Sequence, residues 1–187
     1  KSSLENDILP KLISKKLVSG KIYKKYFIDI GLKKNLNYAK RTFSKLNIHK
    51  CAFLDRDGVI NYDYGYVGQK NRVKFMPQVI QTIKKLNQRK FLVIVITNQS
   101  GVGRGFFTEK DVVAVNTYIN SYLNKKGAMI NDFFYCPHFI ESNIKKYKVK
   151  CKCRKPEIGM IQISKKKWQI DLKQSFMIGD KKSDKEC

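Results

Sequence analysis

The sequence predicts an α/β fold with a Rossmann-like, mostly parallel sheet covered by helices on both faces, and three observations carry that prediction. Short apolar runs, Cys51–Asp55 and Phe91–Thr97, are bounded by turn residues, as buried parallel strands are. Between and after them, apolar residues recur at helical spacing. The residues just past each run are carboxylates, hydroxyls, amides and amines, and parallel sheets bind ligands at those strand ends.

Taken in order, the chain opens with Leu4, Ile8, Leu9 and Leu12 at helical spacing behind Ser3, a suitable N-cap, with Pro10 interrupting the pattern. Ile22 to Ile30 alternates weakly up to Gly31 and predicts a strand or hairpin arm. Leu32 to Leu46 predicts a helix with Leu32, Leu36, Ala39, Phe43 and Leu46 on one face. The charged stretch Lys45–Lys50 reads as a linker, so the expected regions are 1–44, 45–50 and 51–187. Cys51–Asp55 is then the first strand. Val79, Ile80, Ile83 and Leu86 mark a helix, and Phe91–Thr97 is the second strand. Thr108-Glu-Lys-Asp111 resembles a capping box and starts a long helix whose buried stripe is Val112, Val115, Ile119, Tyr122 and Leu123. Phe133–Tyr135 and Ser175–Ile178 supply further strands, with a helix from Met160 to Trp168.

The composition narrows the function classes. The chain has 187 residues, 39 Lys+Arg against 15 Asp+Glu and a formal net charge of +24, which invites a phosphate-binding or nucleic-acid role. At 42% hydrophobic and 12% aromatic it has enough apolar side chains for a core, so a disordered basic tail is excluded. The lysines are spread along the whole length, which ascribes most of the charge to composition and disfavours nucleic acid as the partner. No apolar run approaches the about 20 residues of a bilayer-spanning helix, and no signal-peptide pattern opens the chain. A cytoplasmic protein without a membrane partner is therefore expected. The chain starts without Met and ends after a polar run, so it reads as a fragment.

The candidate chemistry lies at three strand ends. Asp55-Arg-Asp57-Gly58 delivers two carboxylates two residues apart, one suited to act as nucleophile and the other as general acid and base. A turn with two solvated aspartates is the other reading of that segment alone. Thr97-Asn-Gln-Ser-Gly-Val-Gly-Arg-Gly105 can present hydroxyl, amide and backbone donors to a phosphate, or be a flexible glycine loop. Gly179-Asp180-Lys-Lys-Ser-Asp184 brings acids and amines to a third strand end. Separately, Cys136-x-His138 and Cys151-x-Cys153 offer four N/S ligands that would close a tetrahedral, structural zinc site. A buried thiol pair beside an unrelated histidine is the alternative. Cys51 lies inside a strand and reads as core, and His49 has no visible partner.

In this order the motifs resemble the haloacid-dehalogenase-like phosphatases. Asp55-Arg-Asp-Gly, Asp63-Tyr-Gly-Tyr66, the 97–105 run, Cys136-Pro-His138, Cys153-Arg-Lys-Pro156 and Gly179-Asp-Lys181 resemble the D-glycero-D-manno-heptose 1,7-bisphosphate 7-phosphatases over residues 51–187. The histidinol-phosphatases share the strand ends and the zinc loop. The resemblance implies a capless phosphatase domain, monomeric, with a zinc-binding loop and stopping short of the family's last helix and strand. It implies that Asp55 attacks the phosphorus, that Asp57 protonates the leaving sugar oxygen and then activates water, and that Thr97 and Lys155 hold the phosphoryl oxygens. Mg²⁺ would be held by Asp55, the Asp57 main-chain carbonyl and Asp180. Asp63, Tyr64, Gly65, Tyr66, Asn98, Gln99, Ser100, Arg154 and Lys181 would contact the phosphorylated sugar or its second phosphate. Val59 stands where the family often has Thr, and Asp184 resembles a second acid of the last motif.

Leu4-Glu-Asn-Asp-Ile-Leu-Pro-Lys-Leu12 with Tyr26-Phe-Ile-Asp-Ile-Gly31 resembles the end of a sugar-phosphate nucleotidyltransferase, with Asp29 as a remnant of its metal or sugar site. That implies a bifunctional parent in nucleotide-activated heptose biosynthesis, of lipopolysaccharide, S-layer or capsule. The expected activity is removal of the 7-phosphate from the heptose bisphosphate. Histidinol-phosphate hydrolysis and nucleic-acid 3′-end phosphatase activity are the alternatives, and a zinc-stabilised nucleic-acid module is the non-enzymatic one.

Overall fold

A computed structural model describes residues 3–24, 27–46 and 48–187, apart from the side chains of residues 41 and 43–46. The chain divides into two units, Lys1–Phe43 and Ser44–Cys187.

In the first unit, Ser3 caps the opening turns, its hydroxyl accepting from the Asn6 N–H. Five residues, Leu4–Ile8, wind as a wide π-type turn before helix α1 (Leu9–Ser14) begins. Pro10 falls in the first turn of α1, where its missing N–H costs nothing, so it starts a helix instead of breaking one. No strand forms within 22–24 or 27–30, contrary to expectation, and residues 25 and 26 lie outside the described set. Ile22 is 89% and Phe27 85% exposed, and an extended segment without a ladder partner is not a strand. Helix α2 (Lys33–Leu46) forms as predicted. Ala39 on its apolar face is buried while Leu32 is exposed; the side chains of Phe43 and Leu46 lie outside the described set.

The second unit is a four-stranded parallel sheet. Strands β1 (Cys51–Leu54), β2 (Leu92–Asn98), β3 (Asp132–Cys136) and β4 (Phe176–Ile178) run in the order β3-β2-β1-β4. Cys51 pairs with Leu92, Ile94 with Asp132 and Ala52 with Phe176, which sets all four carboxyl ends at one edge. Alternation along the strands feeds two cores. Leu54, Val93 and Val95 pack with Ile83 of helix α3 (Val79–Gln88), and with Val115, Ile119 and Leu123 of a long helix that follows β2. Phe53, Ile94 and Ile96 face the other way and pack with Met160, Ile161 and Ile170. Helices therefore cover both faces, as the sequence predicts.

After β2 the short helix α4 (Ser100–Gly103) turns the chain back, and the long helix α5 (Glu109–Lys125) follows. Thr108 and Asp111 form the predicted capping box, each side chain bonding the other's N–H. Tyr122, placed in the buried stripe by its spacing, stays at the surface with its ring stacked 4.4 Å from that of Phe75. Helix α6 (Gly159–Trp168) leads to β4, and α7 (Lys182–Lys185) follows it. Lys45 and Leu46 lie in α2, and His49 forms a parallel bridge with Ile170, its N–H donating to the Gln169 carbonyl. Within the predicted linker, Lys45 and Leu46 are thus helical, residue 47 lies outside the described set, and His49 has a backbone partner. Among the described residues, no helix is long and apolar enough to cross a membrane.

Candidate active site

Parallel strands that share one register deliver their terminal residues to one rim. Asp55 follows β1, Thr97 and Asn98 close β2, and Gly179-Asp180 follow β4. Asp55 is only 4% exposed, and its Oδ1 accepts from the N–H of Arg56 at 2.7 Å. The Lys155 ammonium lies 3.0 Å from Asp55 Oδ2 and 2.5 Å from Asp184 Oδ1, without hydrogen-bond angles to either. Burial pushes the Asp55 carboxyl above its ordinary range; the Lys155 charge opposes this and the Asp184 charge adds to it.

Lys155 is placed by the amide of Asn98, which accepts from the Lys155 N–H and donates to the Lys155 carbonyl, both at 3.0 Å. Asn98 was expected to contact the substrate. It lines the cleft, but its carboxamide is spent on positioning the lysine.

Asp57 carries four donors. Arg56 Nε and Asn61 Nδ2 donate to Oδ1 at 3.1 and 2.9 Å, and Arg56 and Gln99 Nε2 donate to Oδ2 at 3.0 and 2.9 Å. Gln99 Nε2 also donates to Thr97 Oγ1 at 3.0 Å, so Gln99, another expected substrate contact, serves the two catalytic candidates as well. A cleft of about 320 Å³ opens over these groups, lined by Asp57, Asp63, Gly65, Tyr66, Ser100 and Lys181 among others. Tyr64 is not among its lining residues; its ring stacks on Tyr62 instead, 5.9 Å away. Asp63 and Lys181, expected to reach for the sugar, hold each other at 2.9 Å, a bridge across the cleft. Arg154 donates to the His138 carbonyl at 3.2 Å.

The glycines of the 97–105 run do not form a bare phosphate cradle: a side chain at Gly101 would overlap the Phe107 ring, and one at Gly103 the Pro137 carbonyl. Close packing explains these two, and Gly105 takes a left-handed φ of +77°.

Among the described residues, two groups of side chains could hold metal. The carboxylates of Asp55, Asp180 and Asp184 gather within 4.8 Å of one another, an all-oxygen set that suits a hard cation such as Mg²⁺. Gly58, at φ +91°, lets the loop pass the Asp180 carboxylate, which any Cβ there would overlap. The Asp57 side chain stays outside this set, turned to Arg56; only its main chain remains for the expected ligand role. Asp184, left uncertain by the sequence, joins the set and is 2% exposed. The other group is Cys136, His138, Cys151 and Cys153. Their ligand atoms lie 3.1 to 3.5 Å apart along five edges, close to the about 3.8 Å edge of a tetrahedron with 2.3 Å Zn–S bonds.

Arg56, Asn61 and Asn116 are the residues that reading the sequence missed. Asn61 and Asn116 carried a weak signal, each a polar residue beside buried apolar ones; Arg56 carried none. Asp29 is exposed, and its carboxylate accepts from the Gly31 N–H at 2.9 Å.

A buried carboxylate at the end of the first parallel strand, a second two residues on, a lysine against the first and acids after the last strand define a haloacid-dehalogenase-like phosphatase. The chain belongs to that class through the polynucleotide kinase 3 phosphatase family, whose profile matches residues 52–185. It is a phosphoric monoester hydrolase of the haloacid-dehalogenase type. Among its relatives is the D-glycero-beta-D-manno-heptose-1,7-bisphosphate 7-phosphatase of Rhodopseudomonas palustris, 48% identical over 73% of this chain and 76% of that one. The alpha-named enzyme of Photorhabdus laumondii is 39% identical over 72% and 74%. Of solved structures, a D,D-heptose 1,7-bisphosphate phosphatase from B. bronchiseptica, complexed with magnesium and phosphate, matches with TM-score 0.65 and 32% identity over 72% of each chain. A putative phosphatase of the same class from Mesorhizobium loti matches with TM-score 0.71 and 31% identity, over 74% of this chain and 66% of that one.

Proposed function

We propose that the chain removes the 7-phosphate of D-glycero-D-manno-heptose 1,7-bisphosphate through an aspartyl-phosphate. The observation that carries this reading is the buried Asp55 carboxylate, 3.0 Å from the Lys155 ammonium, with Asp57, two residues on, lining a polar cleft. Asp55 attacks the phosphorus, and the bond to the sugar oxygen breaks as Asp57 gives that oxygen a proton. Asp57, now a carboxylate, takes a proton from the water that displaces Asp55 and frees inorganic phosphate. Thr97 and Lys155 hold the phosphoryl oxygens where transition-state charge gathers. Asp55, the Asp57 carbonyl, Asp180 and Asp184 would hold Mg²⁺, whose charge offsets the repulsion between an anionic nucleophile and an anionic ester.

The Cys₃His group would hold structural zinc and fix Arg154 and Lys155, which follow Cys153 directly. The names of the relatives support the heptose substrate. For residues 1–44 we keep the nucleotidyltransferase-remnant reading, and with it a cytoplasmic, bifunctional parent whose phosphatase domain is monomeric.

One further reading rests on the +24 charge and the name of the matching family: hydrolysis of nucleic-acid 3′-phosphates. Phosphate release from the heptose bisphosphate, histidinol phosphate and a 3′-phosphorylated oligonucleotide, measured in parallel, separates the readings. A clear preference for either of the last two overturns the heptose assignment.

A further inference from the structure

Between the two motif aspartates sits Arg56, 0% exposed, a charge withdrawn from water and compensated by an ion pair with Asp57 and by hydrogen bonds. Its Nε and one terminal nitrogen grip the two oxygens of Asp57 in the fork geometry that fixes a carboxylate plane. The same terminal nitrogen donates to the Val67 carbonyl at 2.7 Å and to Gln99 Oε1 at 2.9 Å, and the other reaches Asn116 Oδ1 on α5 at 3.2 Å. Gln99 in turn donates to Asp57 and Thr97. One guanidinium therefore ties the second aspartate to the phosphoryl-binding end of β2, to the loop that follows Tyr66 at the cleft, and to the core helix. Arg56 is not among the residues lining the cleft, whereas Asp57 is. Replacing a buried ion pair with apolar side chains is often neutral for stability, so the cost of burying this cation calls for a reason beyond the fold.

We infer that Arg56 is the positioning residue for Asp57, aiming its carboxyl at the leaving oxygen while touching no substrate itself. The inference rests on the reading of Asp57 as general acid. In the first half-reaction the proton of the Asp57 carboxyl passes to the departing sugar oxygen as the P–O bond breaks and the Asp55–phosphorus bond forms. An alkoxide needs that proton, and p-nitrophenolate, a stable anion, does not. A misaimed Asp57 thus slows release of a sugar alcohol far more than release of p-nitrophenolate.

The test is single-turnover leaving-group release by the magnesium-loaded protein from a sugar phosphate and from p-nitrophenyl phosphate. It compares wild type with Asp57→Asn, Arg56→Lys, Arg56→Gln and Asn116→Leu. The sugar-to-aryl rate ratio cancels the folded fraction of each preparation, which a purely structural role for Arg56 cannot move. Asp57→Asn is expected to lower the ratio about 100-fold or more, the Arg56 variants about 10-fold or more with KM unchanged, and Asn116→Leu by less. Should Arg56→Gln not fold, Arg56→Lys and Asn116→Leu carry the comparison. A ratio lowered in Asp57→Asn but unchanged in the Arg56 variants overturns the inference alone. A ratio unchanged in Asp57→Asn overturns the acid assignment and the inference with it.

Discussion

Asp55 holds a carboxyl above its ordinary range because burial disfavours the charged form more than the nearby lysine favours it. Such a group costs the fold stability as pH rises from its unfolded value through its folded one. Below about pH 4, where both states are protonated, the cost is gone. Asp55→Asn should therefore abolish phosphate release yet melt higher than wild type at pH 7 to 8 in EDTA. The difference should fade below about pH 4, and a lower melting point at neutral pH would mean that pairing with Lys155 outweighs burial. Asp57→Asn should lower kcat by about 10² to 10⁴-fold, the usual worth of a general acid and base. Residue by residue, much of this was legible: Asp55, Asp57, Thr97 and Asp180 stood out because their types fall at strand ends, and Lys155 through the resemblance of Cys153-Arg-Lys-Pro156. The partners of Asn98, Gln99 and Asp63 were not legible, since a polar side chain near a site serves the substrate or its neighbours according to distances the sequence does not carry.

Elements place these residues, and two joints matter most. At the first, the capping box of Thr108 and Asp111 starts α5, whose Ile119 is fully buried against the sheet. Thr108→Ala should cost about 1 kcal/mol and Ile119→Ala about 2–5 kcal/mol in urea unfolding. At the second, Glu109 in the first turn of α5 accepts from Tyr135, Lys146 and Tyr147 at 2.7 to 3.0 Å, binding the Cys/His loop to helix and sheet. Helix and strand positions in the second unit followed from periodicity, since each apolar stripe has a core to enter. The Ile22–Ile30 prediction failed for the converse reason: alternation marks a strand only when a neighbouring strand accepts its backbone bonds.

Across the whole molecule, Lys155 links the two groups that could hold metal: Cys153 of one stands two residues before it, and its ammonium lies against Asp55 and Asp184 of the other. On the proposed reading of the Cys/His group as a zinc site, stripping zinc with a chelator, or Cys151→Ser, should lower the melting temperature and reduce phosphate release together. Unchanged melting after verified removal would show that the loop stands without it. The net charge of +24 predicts salt-sensitive binding to any polyanion, so affinity for DNA should fall steeply between 50 and 200 mM salt even if DNA is no substrate. Binding that resists salt would argue for a built nucleic-acid site. By itself the sequence determined the α/β class, the strand ends that carry the candidate residues and the four members of the Cys/His group, because strand period, helix period and motif spacing are local quantities. Only the tertiary structure decided that Asp184 joins Asp55 and Asp180, that Asn98 holds Lys155, and that Arg56 ties Asp57 to Gln99 and Asn116. Those contacts join residues up to about 130 apart in the chain, and only packing brings such residues together.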